Sequence, residues 1–297
     1  MKILISGSHG LVGQALSRSL TSDGHTVLRL VRETATNENE ILWRPDSGVV
    51  DSSALEGLDG VVHLAGESIA SGRWTDDKKQ RIFDSRVKGT FALSKALAQL
   101  NEPPKSFLCA SAIGYYGDRK EEVLTESSAP GNDFLATLCV QWEKATGPAV
   151  EKGIRTLCTR FGIILDKKGG ALAKMLTPFR MGIGGRVGDG KQWMSWIALD
   201  DVVTALRFVM NKTELSGPVN FVAPNPVTNE AFTRALGRTL GKPSLIPIPA
   251  FGVRLAFGEM ADGLLLSSAK VEPKRLKESE FQFNYTDLKP AFEHILK

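Results

Sequence analysis

Five short runs of mostly branched apolar residues punctuate the first 165 residues: KILISG, TVLRLVR, GVVHLAG, SFLCAS and RTLCTRFGIIL. Runs of this length with little polar alternation predict strands buried on both faces. Between them the apolar positions switch to helical spacing. Leu11, Ala15 and Leu16 share one face of a first helix that stops near Gly24. SRVKGTFALSKALAQL predicts another, ended by Asn101 and the Pro103-Pro104 pair, and FLATLCVQWEKATGPAVEKG a third, broken or bent at Gly147-Pro148. Strands and helices in alternation imply right-handed crossovers and a doubly wound parallel α/β sheet covered on both sides.

After Asp166 the pattern changes. The stretch from 166 to 201 is rich in glycine, carries two tryptophans and predicts loop with one short helix. Asp200 or Asp201 is placed to cap a following helix whose core side holds Val202, Val203, Leu206 and Val209 or Met210. From about Gly217 prolines mix with short helices. The predicted division is a nucleotide-binding domain over 1–165, completed by about 196–222, and a smaller C-terminal substrate lobe over 166–195 and 223–297.

Composition narrows the function classes. A chain of 297 residues that is 42% hydrophobic and 24% charged folds around its own core without a membrane. Met1-Lys2 runs straight into ILISG with no leader pattern, so the expected location is cytoplasmic. Three cysteines give no disulfide frame, Cys109 and Cys158 lie in apolar runs, and four scattered histidines predict no metal site. The net charge of +4 is spread over stretches such as DDKKQR and EPKRLKESE, where acids interleave with bases; these predict solvated helix faces, not a nucleic-acid surface.

The first chemical motif is ISGSHGLVG, which places Gly7, Gly10, Leu11, Val12 and Gly13 between the first strand and first helix. Glycines there allow a tight turn and bring backbone amides and a helix N-terminus up to a pyrophosphate. The second strand then distinguishes cofactors. A site for NAD usually ends that strand with an acid for the ribose 2'-hydroxyl. This chain has Val31-Arg32 there, and a guanidinium suits the 2'-phosphate of NADP, NADPH when reduced.

Gly7-x-x-Gly10-x-x-Gly13 together with HLAGE (63–67), SRVKGT (85–90), SAIGYYGD (111–118) and RFGIIL (160–165) resembles the extended short-chain dehydrogenase/reductase superfamily, a Rossmann-type fold. GESIASGRWTDDKKQRIFDSRV, GIGGRVGDGKQWMSWIALDD and EPKRLKESEFQF resemble an atypical branch of it, the epimerase-family proteins with a DUF1731 C-terminal segment. The resemblance implies that Leu64, Ala65 and Gly66 line the adenosine and its ribose, that Arg86 reaches the cofactor, and that Phe161 and Gly162 pass near the nicotinamide.

Ordinary members carry a catalytic Tyr and Lys four residues apart on the helix after the fifth strand. Tyr116 and Lys120 have that spacing, yet Gly117-Asp118 between them signals a turn, so the match is accidental. Counting back from Trp142-Glu143 puts Leu135 in the Tyr place and Cys139 in the Lys place. The remaining catalytic candidates are Ser111, as a hydrogen-bond partner for a substrate carbonyl, and Tyr116, as a proton donor; Glu67, Gln192 and Trp196 are substrate candidates, and Trp193 or Trp196 either stacks a ligand or latches the lobes. Two functions follow: an NADP-dependent oxidoreductase or epimerase acting on a small polar carbonyl or nucleotide-sugar substrate, or a non-catalytic NADP(H)-binding redox-responsive regulator. Neither implies a nucleic-acid or membrane partner.

Overall fold

The computed structural model describes residues 1–45, 49–50 and 52–297. In chain order the strands are β1 (Lys2–Ser6), β2 (Thr26–Val31), β3 (Glu40–Arg44), β4 (Val49–Val50), β5 (Gly60–His63), β6 (Ser106–Ala112), β7 (Val123–Leu124), β8 (Arg155–Phe161), β9 (Ile163–Leu165), β10 (Trp193–Met194), β11 (Trp196–Ala198), β12 (Gly217–Phe221), β13 (Val227–Thr228) and β14 (Lys270–Val271). Eight of them form the main sheet in the order β12-β8-β6-β5-β1-β2-β3-β4. Its first seven strands run parallel and β4 closes the far edge antiparallel to β3. The order steps outward from β1 in both directions, so the β1 end is the switch point where a doubly wound sheet opens a crevice.

Two strand predictions need correcting. β3 has no counterpart among the five apolar runs: it alternates, with Ile41 and Trp43 buried and Leu42 and Arg44 exposed, as suits a strand covered on one face. RTLCTRFGIIL is two strands, cut at Gly162, where a Cβ would lie 2.6 Å from the Ser195 carbonyl oxygen. β9 leaves the main sheet there and pairs with β11.

The principal helices are α1 (Leu11–Ser22), α2 (Asp76–Ala98), α3 (Phe134–Lys144), α4 (Gly147–Glu151), α5 (Gly170–Arg180), α6 (Leu199–Asn211), α7 (Asn229–Leu240), α8 (Ala250–Phe257), α9 (Glu259–Ala261), α10 (Lys274–Glu278) and α11 (Leu288–Leu296). The break at Gly147-Pro148 separates α3 from α4, as expected. α2 starts earlier than predicted, because the Thr75 side chain accepts the Lys78 amide and caps it. This draws DDKKQR into the helix and buries Lys78, which is 5% exposed, so that stretch is not wholly a solvated face. α6 presents Val202, Val203, Leu206, Val209 and Met210 to the core, but no side chain caps it. Buried Asp201 instead accepts the Asn284 amide, the Asn284 Nδ2 and the Tyr285 amide, fixing a distant turn.

One core lies between the sheet and α1 with α6, the other between the sheet and α2 with α3 and α4. A third apolar cluster joins α5, α7 and α11 around Trp196, Phe232 and Phe292. The C-terminal tail is not confined to that cluster: Leu276 and Phe281 pack into the first core, with the Phe281 ring tilted against Phe208 of α6 at 5.3 Å.

Candidate functional site

The crevice at the β1 end is built from backbone and small residues. Gly7 turns with φ +67°, and a Cβ on it would sit 2.8 Å from the Leu64 carbonyl carbon and Ala65 nitrogen. A Cβ on Gly13 would lie 2.3 Å from the Gly7 carbonyl oxygen, so helix and loop touch here only because position 13 is glycine. Gly10 is the N-cap of α1 and no side chain caps that helix, which leaves its first amides for a ligand. Ser8 Oγ, buried within the loop, has no hydrogen-bond partner. A cradle closed to any Cβ, uncapped amides and an orphaned hydroxyl together fit a pyrophosphate group.

Beneath the loop, the Ser6 hydroxyl accepts the Leu64 and Ala65 amides at 3.1 and 3.2 Å and shares a 2.6 Å hydrogen bond with His63 Nδ1. Burial holds His63 far below its usual range, at about 3, so its ring stays neutral. These residues clamp the ends of β1 and β5 together. Neither was a candidate in the sequence, where a polar pair inside two apolar runs reads as core.

The residues expected around a cofactor converge on this edge. Val31 ends β2 buried, and Arg32 beyond it is exposed and makes no hydrogen bond among the described residues. Leu64, Ala65 and Gly66 continue β5 beside Gly7. Arg86 packs on Gly66, gives its Nη1 to the Glu67 carbonyl at 2.9 Å and lies over the Trp142 ring. Leu11 and Val12 open α1, with Leu11 against Gly169. Phe161 ends β8 edge-on to Phe221, and Gly162 follows it. The Glu67 carboxylate is held by Lys78 Nζ at 2.5 Å, and that ammonium also donates to Ser71 Oγ at 2.9 Å. This hydrogen bond, followed by the field of Lys78, Arg81 and Arg32, keeps the Glu67 carboxyl below the usual carboxylate range despite partial burial.

The catalytic candidates lie elsewhere in the hydrogen-bond economy of the fold. Tyr116 is not a solvent-facing proton donor: it is fully buried in a 3-10 turn after β6, donates to Asn220 Oδ1 at 2.7 Å and accepts from Arg160 Nη1 at 3.0 Å. Burial pushes its phenol up to about 12. Ser111 is also corrected, being 2% exposed and giving its hydroxyl to Glu143 Oε1 at 2.7 Å. Glu143 in turn takes Arg160 in a bidentate pair, both contacts at 2.8 Å. Lys120 is exposed in a turn, so the accidental spacing is confirmed by geometry. Leu135 and Cys139, in the places of the usual pair, are both buried, and burial drives the Cys139 thiol up to about 12.

Two substrate candidates are likewise structural. Gln192 is 8% exposed and spends its amide on the Val187 and Leu265 carbonyls. Trp196 is fully buried in the third cluster and donates to the Asn225 carbonyl. Trp193 does act as a latch, donating to Glu121 and stacking under Lys270 at 4.1 Å. What does open beside Leu135 is a cavity of about 280 Å³, walled by Trp74, Asp133 and Phe134 on one side and by Arg254, Asp262 and Leu266 from the C-terminal segment on the other. Among the described residues no helix is long and apolar enough to cross a membrane, and no cluster of His, Cys, Asp and Glu could hold a metal ion.

Comparison with known proteins accounts for this layout. The model of the NAD dependent epimerase/dehydratase family matches residues 3–222, and that of DUF1731, a domain of unknown function, matches residues 248–295. An epimerase family protein of Mycobacterium bovis is 44% identical over 97% of this chain and 95% of its own length. One from Bacillus subtilis is 36% identical over 100% and 98%. The crystal structure of human epimerase family protein SDR39U1, solved with NADPH, superposes with a TM-score of 0.91 at 30% identity, covering 99% of both chains. With the glycine crevice at the sheet's switch point and the C-terminal segment walling the cavity beside Leu135, the chain belongs to the NAD dependent epimerase/dehydratase family, in the short-chain dehydrogenase/reductase branch that carries DUF1731.

Proposed function

We propose that this protein binds NADPH in the β1–α1 crevice and reduces or epimerises a small polar carbonyl or nucleotide-sugar substrate without a Tyr–Lys pair. The observation that carries the cofactor half is the Gly7–Gly13 cradle with its uncapped amides and partnerless Ser8 hydroxyl. Exposed Arg32 at the end of β2, where NAD sites carry an acid, supports NADP over NAD, and the human relative was solved with NADPH. The bound nicotinamide supplies a hydride. The chain's own part is to seat the pyrophosphate on α1, hold the strand ends rigid through Ser6 and His63, and offer a cavity of about 280 Å³ beside Leu135 for the substrate.

A second reading, a cofactor-binding regulator without turnover, is favoured by one specific observation. Every polar candidate at the reactive edge of β6 and β8 is already satisfied inside the fold: Ser111 by Glu143, and Tyr116 by Asn220 and Arg160. Calorimetric titration with NADPH and with NADH at one salt concentration, followed by a carbonyl and nucleotide-sugar screen for NADPH oxidation or epimerised product, separates the readings. Tight NADPH binding with turnover supports the enzyme. NADPH binding with no reaction on any substrate supports the regulator, and no binding overturns both.

A further inference from the structure

Resting on the NADPH reading, we propose that Arg81 of α2 closes a two-arginine clamp with Arg32 on the cofactor's 2'-phosphate, and that Lys78 is the positioning residue that makes the clamp net cationic by cancelling Glu67.

The strand register sets the frame. Ser6 of β1 is level with Leu30 of β2 and with His63 of β5. Arg32 and Glu67, a few residues beyond these partners, therefore leave the same edge of the sheet on opposite sides of the glycine loop. α2 runs along this edge. Lys78 reaches the Glu67 carboxylate, Ser85 Oγ accepts the Glu67 amide at 3.0 Å, and Arg86 holds the Glu67 carbonyl. Arg81 stands three residues after Lys78 and four before Ser85, the spacing that shares one helix face. One turn beyond Ser85, Gly89 packs against Trp43 of β3, so α2 extends across the flank of β2 and not only over β5. Arg81 and Arg32 are both exposed and neither has a hydrogen bond or ion pair among the described residues. Both also stand among the charges that hold the Glu67 carboxyl below its usual range, in keeping with the placement that the strand register and the helix face give.

Charge decides what that point accepts. Glu67 alone would draw the arginines to itself and repel a phosphate. The Lys78 ammonium, on a side chain only 7% exposed and in contact with the carboxylate, removes that competition. Two guanidinium charges remain, matched to a phosphomonoester whose charge near neutral pH is about −1.5 to −2. NADH carries no such group and gains nothing from the clamp.

NADPH and NADH are titrated by calorimetry into the wild type and into Arg32→Ala, Arg81→Ala, Arg81→Lys, Lys78→Met and the double variant Glu67→Gln/Lys78→Met. Arg81→Ala is expected to weaken NADPH by about tenfold or more while NADH changes by less than about twofold, the size of one charge-assisted contact. Arg81→Lys recovers part of the loss. Lys78→Met weakens NADPH selectively, and removing the Glu67 charge in the double variant restores it; a purely structural role for Lys78 would not be rescued this way. If Lys78→Met fails to fold, the double variant and Arg81→Ala carry the test. Arg81→Ala with an unchanged NADPH to NADH ratio, while Arg32→Ala loses it, overturns the clamp and leaves the NADPH reading standing. A wild type that binds both cofactors equally defeats the reading itself.

Discussion

The two strand-end regions of this molecule use polar groups in opposite ways. At the β1–β5 edge the walls are glycine and backbone, one hydroxyl has no partner, and the charged groups Arg32 and Arg81 reach into solvent. At the β6–β8 edge, Ser111, Tyr116, Glu143, Arg160 and Asn220 form a closed, buried network in which each side chain already has its partners. The first region keeps uncapped amides and a partnerless hydroxyl; the second spends its polar groups within the fold, except for one oxygen of the adjoining Glu126 carboxylate. A polar residue at a strand end is thus informative about function only once its hydrogen bonds have been traced. Side chains fully engaged with one another in the interior stabilise and orient the fold, whereas unspent amides and hydroxyls mark where something else binds.

The sharpest way to break this contrast is to open the closed network. Arg160→Ala leaves the Glu143 carboxylate buried and unpaired, so stability should fall by about 3 to 5 kcal/mol in urea unfolding. A loss near zero would mean the network is not self-supporting. The open edge should respond to bulk instead: Gly13→Ala forces a methyl against the Gly7 carbonyl, and overpacking of about 1 to 3 kcal/mol should appear chiefly as lost NADPH binding in calorimetry. Unaltered affinity would remove the loop from the cofactor site.

pH acts on the floor of the open edge. His63 stays neutral in the folded protein down to about 3, whereas in the unfolded chain it protonates near the ordinary histidine value of 6.5. The unfolded state therefore binds more protons below that value, and its contribution to stability, intact above pH 6.5, is lost as pH falls towards 3, at up to about 1.4 kcal/mol per pH unit. Replacing His63 by Asn should flatten the pH dependence of the unfolding free energy in that window; an unchanged slope would place the titrating group elsewhere. The change that leaves the open edge untouched is Tyr116→Phe. It removes one hydroxyl between Arg160 and Asn220, and is expected to cost about 1 to 3 kcal/mol of stability while leaving NADPH affinity and the pH profile of any turnover in place. Activity lost at unchanged stability would return Tyr116 to the role of proton donor.

Much of the outline was legible beforehand for local reasons. The apolar runs and helical spacings fix strands and helices because burial on both faces demands such patterns, and Gly7 and Gly13 stand out because close backbone approach admits no Cβ. Strand β3 was missed because a strand covered on one face is short and alternating. Gln192 and Trp196 misled because their type suggested ligand chemistry, while their partners, Leu265 and Asn225, lie 73 and 29 residues away. Lys78 misled in the other direction: a lysine in a charged run reads as solvated until the fold brings Glu67 to it.

By itself the sequence determined the order of strands and helices, the glycine loop at their first junction, and the absence of a Tyr–Lys pair at its usual helix positions, since each depends on residues close together in the chain. Only the tertiary structure decided which polar side chains are spent and which are free. That depends on pairings such as Tyr116 with Asn220, 104 residues apart, or Ser6 with His63, 57 apart, whose worth arises when the fold removes water from both partners at once.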